Sequence, residues 1–390
     1  MRVTHVITRL IVGGAQENTI ASVLGLQEKP GVEAHLISGS ETGPEGSLAG
    51  AFAKSPKSLT LVPELVRAIH PWKDMQAKRR LTEIFRAQKT DIVHTHSGKA
   101  GILGRLAAHE AAVPVIVHTI HGPSFGHFQG PFANFLFRSA ERRAGKVTTQ
   151  FVVVADAMKE QYLAAGISSP QQYTKIFSGF PLQAFLSANN DPSIRARYGI
   201  APEDVVIGKI ARLFKLKGHD DLFAIAPELL HGNPKIKFLL VGDGPWRERF
   251  EKDVRALGVE KQVIFTGLVA PEEVPQLVGI MDILVHLSRR EGLARALPQA
   301  LAAGKPVVAY DCDGANEVCL DDRTGFLVKP RDVSCLRERL LRLANDPALR
   351  QRLGMEGRGF VRERFAVETM VDDLFSLYLK LAPGIRMPQL

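Results

Sequence analysis

The chain has 390 residues, 45% hydrophobic and 23% charged, with a net charge of +9. That length suits two domains of roughly 150–200 residues, and the composition is that of an ordinary globular protein. Three cysteines (Cys312, Cys319, Cys335) show no metal-ligand spacing, and their odd number argues against a disulfide framework, so a reducing cytoplasm is expected. The first residues enter directly on a short, interrupted apolar run, which does not read as a signal peptide. No stretch approaches the ~18 apolar residues of a membrane span.

The charge is uneven. Residues 1–180 hold 20 Lys+Arg against 13 Asp+Glu, a difference of +7, and residues 181–390 hold 30 against 28, a difference of +2. The basic clusters are Lys78-Arg79-Arg80 and Arg138, Arg142, Arg143, Lys146, lying near Trp72, Met75, Phe132, Phe135 and Phe137. Two readings stand for them. Either they are the solvated face of amphipathic helices packed on their own sheet, or they form a patch for an anionic membrane surface or an acidic acceptor. No nucleic-acid module is recognised, so nucleic acid is not an expected partner.

In chain order, Val3–Thr8 reads as a strand, and Gly13-Gly14 turns into a helix over Glu17–Leu26. A strand, paired glycines and a helix start make a close-approach site for an anion, although the full G-x-G-x-x-G pattern is missing. Val32–Ser38 is a strand, Glu41–Ser47 a polar glycine-bearing loop, Leu59–Val62 a short strand and Asp74–Lys89 a helix. Asp91–His96 and Pro114–His118 are strands ending in histidines. His94, His96, His118 and His121 invite a metal reading, but no HExxH-type pair and no Asp or Cys set completes one. His94 and His118 alternate inward and are expected to be satisfied core side chains. Gln150–Val154 is a buried strand, Asp156 the N-cap of a helix to Ala165, and Tyr173–Phe177 the last strand of the first half. The polar, proline-bearing Ser187–Ser193 suits a linker.

The second half restarts the alternation. Val205–Ile210 is a strand, and Arg212 and Lys217, five apart in the following loop, suit a diphosphate clamp: a planar fork of donors beside a mobile point charge. Lys237–Val241, the turn Gly242–Pro245, and Val263–Phe265 with Thr266–Val269 follow. Ile283–Leu287 is an apolar strand whose end carries Glu291-Gly292. Leu293, Ala296, Leu297, Ala300 and Leu301 then have helical spacing, so a helix over Ala294–Ala303 is predicted, closed by Gly304 and Pro306. In such a sheet, N–H groups at Gly292–Ala294 would meet an anionic ligand beside a carboxylate. Val307–Tyr310 is a buried strand, Glu317 a structural residue at a helix start, and Val333–Ala344 and Met370–Leu381 amphipathic helices.

Glu291-Gly292 and the loops around it resemble the signature of retaining nucleotide-sugar glycosyltransferases of family 4, although the second acid of that signature is Gln299 here. A Gln can still hydrogen-bond ribose hydroxyls, but a charge-dependent role at that position could not survive. The resemblance implies a GT-B α/β fold: two Rossmann-like domains facing a cleft, with a C-terminal helix crossing back to the first. It places an acceptor domain at 1–185, a donor domain at 186–365 and the returning helix at 366–390. It implies that Glu291 orients the donor sugar, that His121 assists there, and that Arg212, Lys217, Gly14, Gly292 and Leu293 hold the diphosphate. Gln299 with Gly267, Leu268 and Val269 would meet the nucleoside, and Gly13 and His96 the acceptor side. No metal and no cofactor are expected, since the nucleotide-sugar is a substrate.

The function implied is transfer of a hexose-type sugar to a glycan or lipid-linked acceptor in cell-envelope or polysaccharide biosynthesis. The expected location is cytoplasmic, with peripheral attachment to the inner membrane face as a variant. The alternatives are a sugar-nucleotide epimerase or phosphorylase of the same fold, a non-catalytic nucleotide-sugar-binding protein, and a basic surface-binding protein.

Overall fold

A computed structural model describes residues 1–41, 43, 46–126 and 128–383. Residues 42, 44 and 45 of the loop Glu41–Ser47, and the last seven residues of the predicted C-terminal segment, lie outside this set. The chain forms two compact units, Met1–Phe180 with Val367–Leu390, and Pro181–Ala366.

The first unit is built on a seven-stranded sheet. Its strands are β1 (Arg2–Ile7), β2 (Glu33–Ser38), β3 (Leu59–Leu61), β4 (Ile92–His96), β5 (Val115–Ile120), β6 (Gln150–Val153) and β7 (Tyr173–Lys175). They lie in the order β3-β2-β1-β4-β5-β6-β7, every pairing parallel. Helices cross between strands because a parallel connection must return the chain to the same edge. Most of these strands are buried along nearly their whole length, which is why they read as continuous apolar runs rather than alternations.

The second unit holds β8 (Val205–Ile210), β9 (Ile236–Val241), β10 (Val263–Gly267), β11 (Ile283–His286), β12 (Val307–Tyr310) and β13 (Gly325–Val328). Their order is β10-β9-β8-β11-β12-β13, again all parallel. Its core joins Ile207, Leu240, Val285, Val308 and Phe326 of the sheet to Leu222 and Leu229 of the helix His219–Gly232 and to Leu336 and Leu340 of the helix Val333–Asn345.

The C-terminal helix, Val367–Leu381, belongs to the first unit. Its apolar stripe of Met370, Val371, Leu374 and Tyr378 packs with Val23 and Leu26 of the helix Gly14–Gln27. A buried ion pair ties two more helices there. Arg105, on Gly98–Glu110, meets Glu141, on Pro131–Gly145, at 2.5 Å with neither side chain exposed. Ser124 Oγ donates to the other oxygen of Glu141 at 2.9 Å, and Arg105 Nε donates to Gly101 O at 2.7 Å.

Four local expectations are corrected. Asp156 is not an N-cap: Ala155 holds that position and Asp156 is the first helical residue, ion-paired with Lys175. The stretch Ser187–Ser193 is not simply a linker, because the Asp191 side chain accepts Ser193 N–H at 2.8 Å and starts a short helix, Pro192–Arg197. Glu317 ends, rather than starts, its helical turn Asp313–Glu317. The helix Pro347–Arg364 was not expected at all. Its buried face is Leu349, Leu353, Gly354, Gly357 and Val361, and the two glycines lower helix propensity where close packing is made.

Candidate active site

In the second unit the predicted donor residues gather at the C-terminal ends of β8 and β11. The loop after β8 is pinned by its neighbour: Leu213 N–H donates to Asp243 O, and Trp246 N–H to Leu213 O, both at 3.0 Å. A Cβ at Gly242 would lie 2.4 Å from Ala211 O, so the backbones of these two strand-end turns can approach only with glycine there. Arg212 is exposed on this fixed loop. Gly218, at φ +70°, brings the loop's far end against β11, where a Cβ would lie 2.2 Å from Leu287 O. Arg289 N–H donates to Leu216 O at 2.9 Å and closes the junction.

This junction sets Lys217 against Glu291. Lys217 Nζ is hydrogen-bonded to Glu291 Oε1, the two side chains being 25% and 27% exposed. His286 Nε2, on β11, lies 3.9 Å from the same oxygen. Burial pushes the Glu291 carboxyl up, but Lys217 and His286 outweigh it and hold it below the usual carboxylate range. From the other side, Glu291 N–H donates to Asp313 Oδ2 at 2.6 Å and Gly314 N–H to Gly292 O at 3.1 Å. Glu291-Gly292 is thus fixed by loops following three strands, β8, β11 and β12.

Beneath the pair lies a charge that the sequence reading passed over. Lys209, in the middle of β8, is 1% exposed, and its Nζ has no hydrogen-bond partner among the described residues. Burial, with Lys217 adding to it, pushes this ammonium down to about 7, while Glu291 and Asp221 pull it back. His219 is buried with both ring nitrogens unpartnered in the same sense, and burial lowers it strongly. Asp221 accepts both Arg289 (2.6 Å to each oxygen) and the Tyr310 hydroxyl (2.8 Å). The sequence did carry a signal: a lysine inside VVIGKI and a histidine inside ILVH break otherwise apolar strands.

The helix after Glu291 is shorter than predicted, Ala296–Ala302 instead of Ala294–Ala303. Pro298 has no N–H to give Ala294 O, so the first i→i−4 bond runs from Gln299 N–H to Arg295 O at 3.1 Å. Gly292 and Leu293 are buried just before it, and Gln299 is half-buried on it. Gly267 ends β10 at φ +76°, its carbonyl accepting Gly242 N–H at 3.1 Å. Leu268 is 66% exposed beyond it, with Val269 next.

In the first unit, Gly13 is extended backbone at the N-cap of the helix that Gly14 begins. His121 follows β5, half-buried, with Nε2 at 3.0 Å from His96 Nδ1. His96, expected on the acceptor side, is 1% exposed, and its other nitrogen bonds His5 at 2.9 Å. With both nitrogens engaged inside the unit, it has nothing left to offer an acceptor. His94 and His118 are satisfied core histidines, bonded respectively to Tyr378 and Thr119, and to Thr95. His5 was not singled out from the sequence; one ring nitrogen from each of His5, His94 and His96 lies within 4.8 Å of the other two.

Two parallel-sheet Rossmann-like units, one carrying a Glu and a Lys at its strand ends, have the architecture of the GT-B class. Residues 12–176 match the family model for Glycosyltransferase Family 4, and residues 190–360 that for glycosyl transferases group 1. The chain belongs to this family of glycosyltransferases. It is similar to a UDP-Gal:alpha-D-GlcNAc-diphosphoundecaprenol alpha-1,3-galactosyltransferase of Escherichia coli, 28% identical over 82% of this chain and 83% of that one. It is also similar to a GDP-mannose-dependent alpha-(1-6)-phosphatidylinositol monomannoside mannosyltransferase of Mycolicibacterium smegmatis, 30% identical over 69% and 70%. In fold it matches Alr3699/HepE of Anabaena, solved in complex with UDP, at a TM-score of 0.81 over 97% and 100% of the two chains and 20% identity.

Proposed function

We propose that this glycosyltransferase moves a hexose-type sugar from a nucleotide-sugar to a glycan or lipid-linked acceptor in cell-envelope or polysaccharide biosynthesis, retaining the anomeric configuration without a metal. The observation that carries the reading is the Glu291–Lys217 pair fixed at the ends of β8 and β11. The bond from the sugar's anomeric carbon to the diphosphate breaks as the acceptor oxygen attacks from the same face. A diphosphate oxygen takes the acceptor's proton. Lys217 and Arg212 neutralise the charge that grows on the leaving group, where each well-placed donor is worth roughly 3 kcal/mol of barrier. Glu291 orients the sugar hydroxyls, His121 assists there, and Gln299 holds the ribose. The E. coli and Mycolicibacterium relatives, named for UDP-Gal and GDP-mannose, support a nucleotide-sugar donor and a lipid-linked acceptor.

Thermal unfolding with UDP-, GDP- and ADP-sugars tests this. One nucleotide class is expected to stabilise the protein by about 2.7 kcal/mol at a hundredfold excess over Kd. No shift with any of them sinks the donor reading.

A membrane-facing role has its own support. Phe132, Phe135 and Leu136 are 75%, 64% and 48% exposed on the helix that carries Arg142 and Arg143, and Trp72 is 61% exposed on the helix Pro71–Gln88. These side chains therefore do not pack on their own sheet. Among the described residues no helix is long and apolar enough to cross a membrane. Basic residues beside outward aromatics suit the surface of an anionic bilayer. Flotation with phosphatidylglycerol vesicles should show binding that high salt weakens and that Phe132→Ser with Phe135→Ser abolishes. Equal flotation of the double variant counts against the patch.

A further inference from the structure

Strand register in the first unit lines up side chains that the transfer scheme leaves unused. β1 beside β4 sets His5 opposite His94, and β4 beside β5 sets His96 opposite Thr119. His94 and His96, two apart on one strand, share a face. His94 and His96 lie with ring centroids 4.4 Å apart, while His5 and His96 (5.1 Å) and His96 and His121 (5.3 Å) lie edge to edge, as in-plane N···N bonds require.

Five hydrogen bonds join them in a single row. His121 Nε2 meets His96 Nδ1 at 3.0 Å, and His96 Nε2 meets His5 Nδ1 at 2.9 Å. His5 Nε2 meets the Tyr378 hydroxyl at 3.3 Å, which meets His94 Nδ1 at 2.5 Å, and His94 Nε2 meets Thr119 Oγ1 at 2.6 Å. Tyr378 lies on the C-terminal helix, so the row runs from that helix through the sheet to His121.

We propose that His96, His5 and Tyr378 are positioning residues that tie the proton position on His121 to that on His94. A neutral imidazole has one N–H donor and one bare acceptor nitrogen. Two bare nitrogens, or two N–H groups, facing each other at 3 Å would leave buried polar groups unsatisfied. Each N···N bond therefore forces the next ring into the same form. The Tyr378 hydroxyl, bonded among the described residues only to His5 and His94, donates to one and accepts from the other. Only two arrangements satisfy the whole row. In one, all four rings carry the proton on Nε2; in the other, all four carry it on Nδ1. The proton of His121 accordingly sits on Nε2 or on Nδ1, in a choice shared with the C-terminal helix.

Burial keeps His5, His94 and His96 neutral, as this logic requires. It pushes His5 down to about 3 and holds His94 and His96 well below the ordinary histidine value. A metal ion is the competing occupant of His5, His94 and His96. Tetrahedral zinc, however, needs lone pairs converging on one point at roughly 2.0–2.1 Å. Here the His5 and His96 rings are within 14° of coplanar and aim Nδ1 and Nε2 at each other at 2.9 Å rather than at a common point.

The functional weight of the row rests on the reading of His121 as a donor-sugar residue; its existence does not. The test is two-bond 1H–15N correlation on the full chain labelled with 15N-histidine, with assignment by single His→Gln variants. His5, His94, His96 and His121 are expected to be neutral and of one tautomer. Mixed tautomers among His5, His96 and His121, or a cationic ring at neutral pH, overturn the proposal. So does displacement of these signals by added zinc.

Tyr378→Phe cuts the row between His5 and His94. The shared tautomer of His5, His96 and His121 should then change relative to that of His94, and kcat should fall about tenfold with donor KM nearly unchanged. An unaltered tautomer pattern in that variant removes the link to the C-terminal helix, and if the variant does not fold, the wild-type spectrum decides. Full transfer by His121→Ala would cancel the sugar role of His121 while leaving the tautomer result standing.

Discussion

Glu291→Ala is expected to lower sugar transfer by at least about a hundredfold, in kcat more than in donor KM, with the fold intact. The carboxylate is held on both sides, by Lys217 at its oxygen and by Asp313 at its backbone N–H, so it is a preset orienting group. Loss of orientation alone costs about a hundredfold in a two-substrate reaction. Stability should change little, because Glu291 and Lys217 are each about a quarter exposed and water can replace either partner. Arg212→Ala should lower kcat by about 10²–10³, since its proposed contribution is to the charge on the leaving diphosphate. Radiolabelled or coupled transfer assays with circular dichroism as the control give the answer. Turnover like that of the wild type in either variant would end the assignment.

The largest stability effect is expected far from that site. Glu141→Ala should destabilise the first unit by about 3–5 kcal/mol, because it strands the Arg105 guanidinium in a fully buried position. Ser124 would lose its acceptor as well. Arg105→Met combined with Glu141→Leu should recover most of that loss, since an apolar pair of similar volume carries no desolvation penalty. Urea denaturation of the single and double variants measures both. A single variant as stable as the wild type would mean that water reaches Arg105 after all.

Much of the architecture could be read before the structure. The strand runs, the two rounds of βα alternation and the apolar stripe Met370, Leu374, Tyr378 are local patterns, and local patterns survive in any environment. Arg212, Lys217 and Glu291 stood out because charged groups after apolar strands fall at strand ends. The misreadings share a cause. Pro298 shortened a helix whose spacing looked right, and glycines on the face of Pro347–Arg364 hid one whose spacing was right. For Phe132 and Phe135 the sequence left both packing on the sheet and an outward patch open, and they are 75% and 64% exposed. His96 was assigned to an acceptor because its strand position says only where it ends, not what it touches.

By itself the sequence determined the order of the strands, the two-sheet class and the family signature with its Gln at the second acidic position, since each depends on residues a few positions apart. Only the tertiary structure decided that Lys217 lies against Glu291, 74 residues away, and that Lys209 is buried with no hydrogen-bond partner among the described residues. It alone joined His5, His96 and His121 to Tyr378. Such pairings depend on which strands become neighbours and in what register, and that choice is made by burial of the whole sheet rather than by any one stretch of chain.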